Sequence, residues 1–84
     1  MSIYFTANTD EDYGPNFSNG FGLRFARYIT GKDEQYAGTA PMQAALEAAD
    51  DLLYMAQRDY ERARALVGYL REQAYKGADE VGWS

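Results

Sequence analysis

The clearest hydrophobic pattern in the sequence lies between residues 39 and 76. Apolar residues recur there in alternating steps of four and three, at Met42, Leu46, Ala49, Leu53, Ala56, Tyr60, Ala63, Val67, Leu70 and Ala74. This heptad spacing is typical of an α-helix with one apolar seam. Thr39 or Ala40 is the expected N-cap, and Pro41 fits the first turn, where its missing N–H costs nothing. The pattern therefore predicts one long helix over residues 39–76, which Gly77 would end.

The length of this predicted helix constrains its shape. A straight helix over residues 39–76 would be about 54 Å long, whereas a compact domain of 84 residues is only about 25 to 30 Å across. The helix must therefore overhang, bend or break, and the candidate break sites are Asp50-Asp51, Gln57-Arg58-Asp59 and Gly68. Leu52 and Leu66 widen the seam, as in a helix that packs on a sheet. A narrow seam of alanine and leucine is instead typical of a helix pair, so a homodimer through the helices is an alternative. The residues of this predicted oligomer seam are Ala49, Leu53, Ala56 and Ala63.

The first part of the chain has strand patterns. Residues 2–7 are rich in β-branched and aromatic side chains and predict a first strand. Residues 8–20 are rich in turn formers and predict a loop, with Asn19-Gly20 as its turn. Phe21, Leu23 and Phe25 alternate with Gly22, Arg24 and Ala26, which predicts a half-buried antiparallel strand over residues 21–29. Residues 35–37 are a candidate third strand.

These elements together predict an α+β fold, in which a small antiparallel sheet of two or three strands packs on one long C-terminal helix that bends or breaks. We expect a single domain over residues 1–84. It divides into a β element with an acidic loop (1–38), the long helix (39–76) and a short tail (77–84). Val81 and Trp83 in the tail are expected to fold back onto the core.

The net charge of −5 is distributed unevenly along the sequence. Residues 1–57 contain eight acids and three bases, whereas residues 58–84 contain five of each. This balance disfavours direct binding to nucleic acid, which needs a basic face, and favours a protein partner with a basic surface. The sequence has no cysteine, no run of 18 apolar residues and no signal-peptide pattern, so we expect a cytoplasmic protein with neither disulfides nor a membrane partner.

Candidate chemistry is sparse. There is no histidine, the serines have no base to activate them, and no glycine-rich phosphate loop is present. Asp50 and Asp51 are adjacent, so they point to different faces of a helix and do not share a substrate. Asn8, Asp10 and Asp12 alternate as at the start of a calcium-binding EF-hand loop, but the positions that need glycine and a bidentate acid hold Tyr13 and Asn19. We expect neither enzymatic activity nor a metal or cofactor.

The aromatic residues fall into two groups. Phe5, Phe21, Phe25 and Tyr60 fit the core pattern. A second group lies off that pattern, at Tyr13, Phe17, Tyr36, Tyr54, Tyr69 and Tyr75. Exposed tyrosines beside acids favour recognition of a basic protein surface, because arginine stacks on their rings; alternatively, they only line the edge of the core. The first interpretation predicts a partner-binding set of Asp10, Glu11, Asp12, Tyr13, Asp33, Glu34, Tyr36, Glu47, Asp50, Asp51 and Tyr54.

The chain resembles the small inhibitors of phages and mobile elements, notably anti-CRISPR proteins. The resemblance lies in its profile: a short acidic chain without Cys or His, a β element with Asp10-Glu11-Asp12 in its loop, and an Ala-rich helix with Glu47, Asp50 and Asp51. It implies a stoichiometric inhibitor in the host cytoplasm that docks on a basic surface of a CRISPR effector subunit and blocks DNA or nuclease recruitment. The alternatives are an assembly protein that oligomerises through the helix seam, and a small regulatory adaptor or antitoxin-like module.

Overall fold

The computed structural model describes residues 2–55 and 57–84. Within these residues four strands form one antiparallel sheet with the order β2-β1-β4-β3, and there are three α-helices. The chain runs through β1 (Ser2–Ala7), β2 (Asn16–Ser18), α1 (Asn19–Thr30), β3 (Gly38–Pro41), α2 (Met42–Met55), a 3-10 turn (Gln57–Asp59), α3 (Tyr60–Tyr75) and β4 (Glu80–Trp83). The predicted α+β class and the strand over residues 2–7 are confirmed. The sheet is larger than the predicted two or three strands.

The sheet has one buried face and one open face. The pairs Phe5–Trp83 and Ala40–Val81 lie opposite each other in neighbouring strands, so their side chains share a face. All four are buried in the core, together with residues of the three helices. Alternation along the strands places a second set of side chains on the opposite, outer face: Ser2, Tyr4, Thr6, Thr39, Pro41, Glu80 and Gly82.

The segment predicted as a second long strand, residues 21–29, is instead part of helix α1. Phe21 and Phe25 are four residues apart and bury the same helix face as Gly22 and Ala26. Leu23 fits only the strand period: in the helix it lies off this face and is only partly buried. The ends of the segment favour the helix, because the Ser18 hydroxyl accepts a hydrogen bond from the Phe21 N–H at 3.4 Å and caps the first turn. The predicted turn at residues 19–20 is therefore the first turn of α1.

The predicted long helix is two helices, and the break falls at one of the three candidate sites. Residues 57–59 form a 3-10 turn between α2 and α3, and the two helices pack against each other. The largest dimension of the molecule is only 29 Å, so a helix of about 54 Å had to fold back. Asp59 fixes the break: its side chain is completely buried and binds Arg24 of α1 through two hydrogen bonds.

The predicted start of the helix region is wrong, whereas its end agrees to one residue: Lys76 is the C-cap of α3, and Gly77 follows it with a positive φ of 98°. Thr39, Ala40 and Pro41 belong to edge strand β3 rather than to a helix cap, and α2 begins at Met42. The predicted tail contains β4, which lies between β1 and β3 in the sheet. Residues 35–37 are not a strand; instead, the Gln35 carbonyl accepts a hydrogen bond from the Trp83 indole at 3.0 Å.

The aromatic core prediction holds for three residues out of four. Phe5, Phe21 and Phe25 are fully buried, whereas Tyr60 is 45% exposed. Tyr60 is the first residue of α3, directly after the break, whereas the later stripe positions Ala63, Val67 and Leu70 of the same helix are buried. None of the helices in the described part of the chain is both long and apolar enough to cross a bilayer.

The apolar seam is largely covered within one chain. Ala49 in α2 and Ala63 in α3 are both fully buried, and Leu53 is partly buried against the core. Ala56, the fourth residue of the predicted oligomer seam, lies outside the described residues. The pairing of α2 with α3 inside the chain thus uses the small residues that a second chain would have needed.

Candidate functional site

The entire net charge of the protein belongs to its sheet and the adjoining loops. Residues 1–18, 38–41 and 78–84 contain five acids and no base, whereas the remaining residues, which form the helices and their connections, contain eight of each. The five acids are Asp10, Glu11, Asp12, Asp79 and Glu80. Because the negative and positive charges balance on the helical side, the negative potential is concentrated on the sheet side.

The loop after β1 turns this side of the molecule into a groove. Residues 10–13 form one wall of an open cavity of about 530 Å³ above the outer face of the sheet. The other lining residues come from the three strands β1, β4 and β3 and from the chain end beside them, and they are Thr6, Gly38, Thr39, Gly82, Trp83 and Ser84. We call this cavity the sheet groove. It combines three carboxylates with a floor of small side chains.

Tyr13 and Tyr4 form the aromatic part of the site. Their ring centroids lie 4.9 Å apart, and Tyr4 stands on the outer face of β1. This contact supports the Tyr13 ring, which is nevertheless 74% exposed. An exposed ring supported from behind is suited to contact with a partner side chain, because little conformational entropy remains to be lost.

Tyr69 of α3 fixes the loop from the core side. Its hydroxyl accepts a hydrogen bond from the Ala7 N–H at 2.9 Å and donates one to the Asp10 carboxylate at 2.8 Å. The Tyr69 hydroxyl thereby provides an acceptor for the Ala7 N–H of β1, which lies beyond the part of β1 that pairs with the short strand β2. Burial raises the pKa of the Tyr69 phenol, and the bond to Asp10 raises it further, so the hydroxyl stays protonated as a donor. Gly14 lies against this ring, where a Cβ would clash with it.

A second anchor joins the loop to the start of β4. The Asn8 side chain donates to the Asp79 carboxylate at 2.6 Å and accepts from the backbone N–H groups of Asp79 and Glu80. Thr9 donates to Gln73 of α3 at 2.8 Å. Asn8 and Asp10 therefore serve as structural anchors of the loop.

Two carboxylates of the loop remain available. The side chains of Glu11 and Asp12 are exposed and make no hydrogen bond or ion pair to the residues that the structure describes. The Asp12 backbone N–H donates to Asp10 at 3.4 Å, which directs the turn. Glu11, Asp12 and the Tyr13 ring are thus the freest groups of the sheet groove.

Six of the remaining predicted partner-binding residues line three other grooves, and Tyr36 lines none of them. Asp33 and Glu34 line one with Arg24 and Arg27, and Arg27 pairs with Asp33 at 3.3 Å. Tyr36 is exposed in the connection between α1 and β3. These acids therefore face bases of the same chain, unlike those of the sheet groove.

The acids of α2 are also divided between grooves. Glu47 and Asp51 line a groove with Tyr28, and the Tyr28 hydroxyl donates a hydrogen bond to Asp51 that raises the pKa of this phenol. Asp50 and Tyr54 line another groove, which also contains Arg64 and Arg71. Arg71 approaches Asp50 to 3.9 Å. The structure therefore does not bring the predicted set together into one surface; among its members, only residues 10–13 share the sheet groove.

Six of the ten residues that line the sheet groove were not predicted from the sequence. Thr6, Thr39 and Gly82 are far apart in the chain and become neighbours only through the strand order β1-β4-β3, so no local pattern joined them. The alternation of strand residues would have placed Thr6 on an outer face. The tail was not predicted to be a strand, so its acids, Asp79 and Glu80, were not assigned to the sheet side of the molecule.

No group of three or more acidic side chains in residues 2–55 and 57–84 is arranged to hold a metal ion. Comparison of the chain with protein-family models, with curated proteins and with solved structures finds no match. The functional argument consequently rests on the geometry and charge of the sheet groove.

Proposed function

We propose that this protein is a non-enzymatic binding module that docks the outer face of its sheet on a basic surface of a partner protein. The observation that supports the proposal most strongly is the segregation of charge: all the net charge lies on the side of the molecule that contains the open groove. Such a face attracts a basic surface at long range and repels nucleic acid.

The composition of the groove also favours a protein partner. Tyrosine is one of the residue types that dominate binding energies at protein interfaces, and Tyr13 is exposed beside two free carboxylates. The anchors from Tyr69 and Asn8 hold the loop in place before binding, which lowers the entropic cost of docking.

The partner that we propose is a nucleic-acid-binding protein, and the action is inhibition of the anti-CRISPR type. A protein groove that holds DNA or guide RNA is strongly positive, because it contacts the phosphates with basic side chains. An acidic face docked there would compete with the phosphates. The choice of a CRISPR effector subunit as the target follows from the resemblance of the sequence profile.

A charge-reversal variant tests this proposal. Replacing Glu11, Asp12 and Glu80 by Lys reverses three exposed carboxylates of the sheet side without touching the anchors Asp10 and Asp79. We expect this variant to fold but to lose inhibition of target-DNA binding by reconstituted CRISPR effector complexes that the unmodified protein blocks. The expected loss is about 100-fold or more, because each reversed charge removes an attraction and adds a repulsion.

A matched control makes the same charge change on the helical side, with Glu34, Glu47 and Glu61 replaced by Lys. It is expected to inhibit as well as the unmodified protein. Equal loss in both variants would mean that only net charge matters. If the sheet-side variant kept full inhibition, or if the unmodified protein blocked none of the complexes, the proposal would be wrong.

A further inference from the structure

The floor of the sheet groove contains a glycine that the chain itself does not require. Gly82 lies in the middle of β4, where its backbone is not in the left-handed region. A Cβ built there would make only ordinary contacts, with the Gly38 carbonyl oxygen at 3.5 Å, the Thr39 methyl at 3.6 Å and the Thr6 carbonyl oxygen at 4.0 Å. Packing therefore does not explain the missing side chain.

Gly38, which also lines the groove, shows the contrast. A Cβ at Gly38 would approach the Trp83 ring to 2.6 Å, so this glycine is explained by packing within the chain. Glycine weakens a strand relative to residues with side chains. A strand-interior glycine without an internal reason often marks the close approach of another molecule. Gly82 also lines the same cavity as Glu11, Asp12 and Tyr13.

We propose that the space above Gly82 receives an arginine side chain of the partner protein. This inference rests on the proposed function and specifies the group that the groove recognises. The apolar stem of the arginine would lie along the floor over Gly82, between Thr6 and Thr39. Its guanidinium would reach the wall formed by Glu11, Asp12 and the Tyr13 ring.

Three properties of the site favour arginine over lysine. The exposed face of Tyr13 offers a surface on which a planar guanidinium stacks. The free carboxylates of Glu11 and Asp12 accept the paired hydrogen bonds that a guanidinium donates and a compact ammonium does not. Guanidinium is also less strongly hydrated than ammonium, so it loses less on entering a groove.

The substitution Gly82→Val tests the inference, because it fills the floor without changing any charge. The probe is fluorescein-labelled octa-arginine, with octa-lysine for comparison, and binding is followed by fluorescence anisotropy at low salt. We expect the unmodified protein to prefer octa-arginine by about fivefold or more, and Gly82→Val to weaken octa-arginine binding by about tenfold. Thermal unfolding should show that Gly82→Val is at least as stable as the unmodified protein, because valine favours strands.

Gly68→Ala is the matched control. Gly68 lies on the exposed side of α3, and nothing lies within 4 Å of a Cβ built there. It does not line the sheet groove. This variant should be more stable and bind octa-arginine unchanged. Gly82→Ala repeats the test with a smaller side chain and should weaken binding less than valine does.

The outcomes separate the two proposals. If Gly82→Val is folded and binds octa-arginine as the unmodified protein does, the arginine position over Gly82 is wrong, although the sheet face can still be the docking surface. If octa-arginine and octa-lysine bind equally, the preference for guanidinium is wrong. If binding of both peptides survives the replacement of Glu11, Asp12 and Glu80 by Lys, both this inference and the proposed docking face are overturned.

Discussion

Replacement of Arg24 by Met is expected to lower the free energy of unfolding by about 3–5 kcal/mol, as for a buried ion pair that loses one partner. Arg24 Nε lies 2.7 Å from Asp59 Oδ2, and Arg24 Nη2 lies 2.6 Å from Asp59 Oδ1. The Asp59 side chain is completely buried, so water cannot take the place of the guanidinium. Among the residues that the structure describes, only Arg62, at 4.0 Å, would remain within ion-pair distance. Urea unfolding followed by circular dichroism measures the loss.

Substitution of the other partner, Asp59→Asn, should lower the free energy of unfolding by less than Arg24→Met does. Arg24 is 35% exposed, whereas Asp59 is 0% exposed, so an unpaired Arg24 can turn to water and an unpaired Asp59 cannot. The asymmetry between the two variants is the specific expectation. A loss under about 1 kcal/mol for Arg24→Met, or a larger loss for Asp59→Asn, would show that this ion pair does not fix the helix break.

The same pair predicts a pH dependence. Hydrogen bonds from Arg24, together with the positive charges of Arg24, Arg58 and Arg62, lower the pKa of the Asp59 carboxyl below its usual 3.8. A lowered pKa means that the stabilisation is complete above the unfolded-state pKa and is lost as the pH falls through the folded-state pKa. The unmodified protein should therefore lose stability below about pH 4, and Arg24→Met should lose less over the same range.

Replacement of Phe5 by Ala should cost about 3–5 kcal/mol, as for other buried aromatic residues. Phe5 is fully buried, and its ring centroid lies 5.0 Å from that of Phe25 in α1, 5.8 Å from Phe17 and 6.5 Å from Trp83. It therefore joins the sheet to the first helix. Urea unfolding monitored by Trp83 fluorescence measures the effect.

Tyr54→Ala provides the comparison for Phe5→Ala. Tyr54 is 81% exposed, so its removal should change the stability by less than about 0.5 kcal/mol. If Phe5→Ala were no more destabilising than Tyr54→Ala, the core described around Phe5 would be wrong.

The helical seam shows what could be predicted from the sequence and what could not. The heptad spacing correctly identified helical residues, and the excess length indicated a break. The break falls at residues 57–59, where Asp59 binds Arg24, a residue 35 positions away in the chain. No local pattern encodes such a contact, and the same contact decides whether the seam closes within one chain or between two.

Helix α1 shows a different limit. Phe21, Leu23 and Phe25 satisfy a strand period, while Phe21, Gly22, Phe25 and Ala26 satisfy a helical one, so hydrophobicity alone left both open. The termini decide between them. Ser18 caps the start, and Gly31, with a φ of 73°, donates its N–H to the Arg27 carbonyl at the end. Both signals are local and readable from the sequence.

The site was half predictable for a topological reason. Asp10, Glu11, Asp12 and Tyr13 are adjacent in sequence, so they were found as an acidic aromatic loop. Their counterparts come from strands β3 and β4, which reach the groove only through the strand order. In the sequence, the excess negative charge lies in residues 1–57. In the folded protein it lies on the sheet side, because acids from both ends of the chain meet there.

The negative potential should be strongest on the face with the sheet groove, because the whole net charge belongs to that side. Paramagnetic relaxation of amide protons by a cationic and an anionic nitroxide of equal size measures this potential residue by residue at low salt, without any partner. We expect the cationic probe to relax the amides of Thr6, Tyr13, Thr39 and Gly82 much more strongly than the anionic probe, and the two probes to differ much less when averaged over the three helices, whose acids and bases balance only as a group. An equally strong preference for the cationic probe around Glu47 and Asp50 would contradict the account.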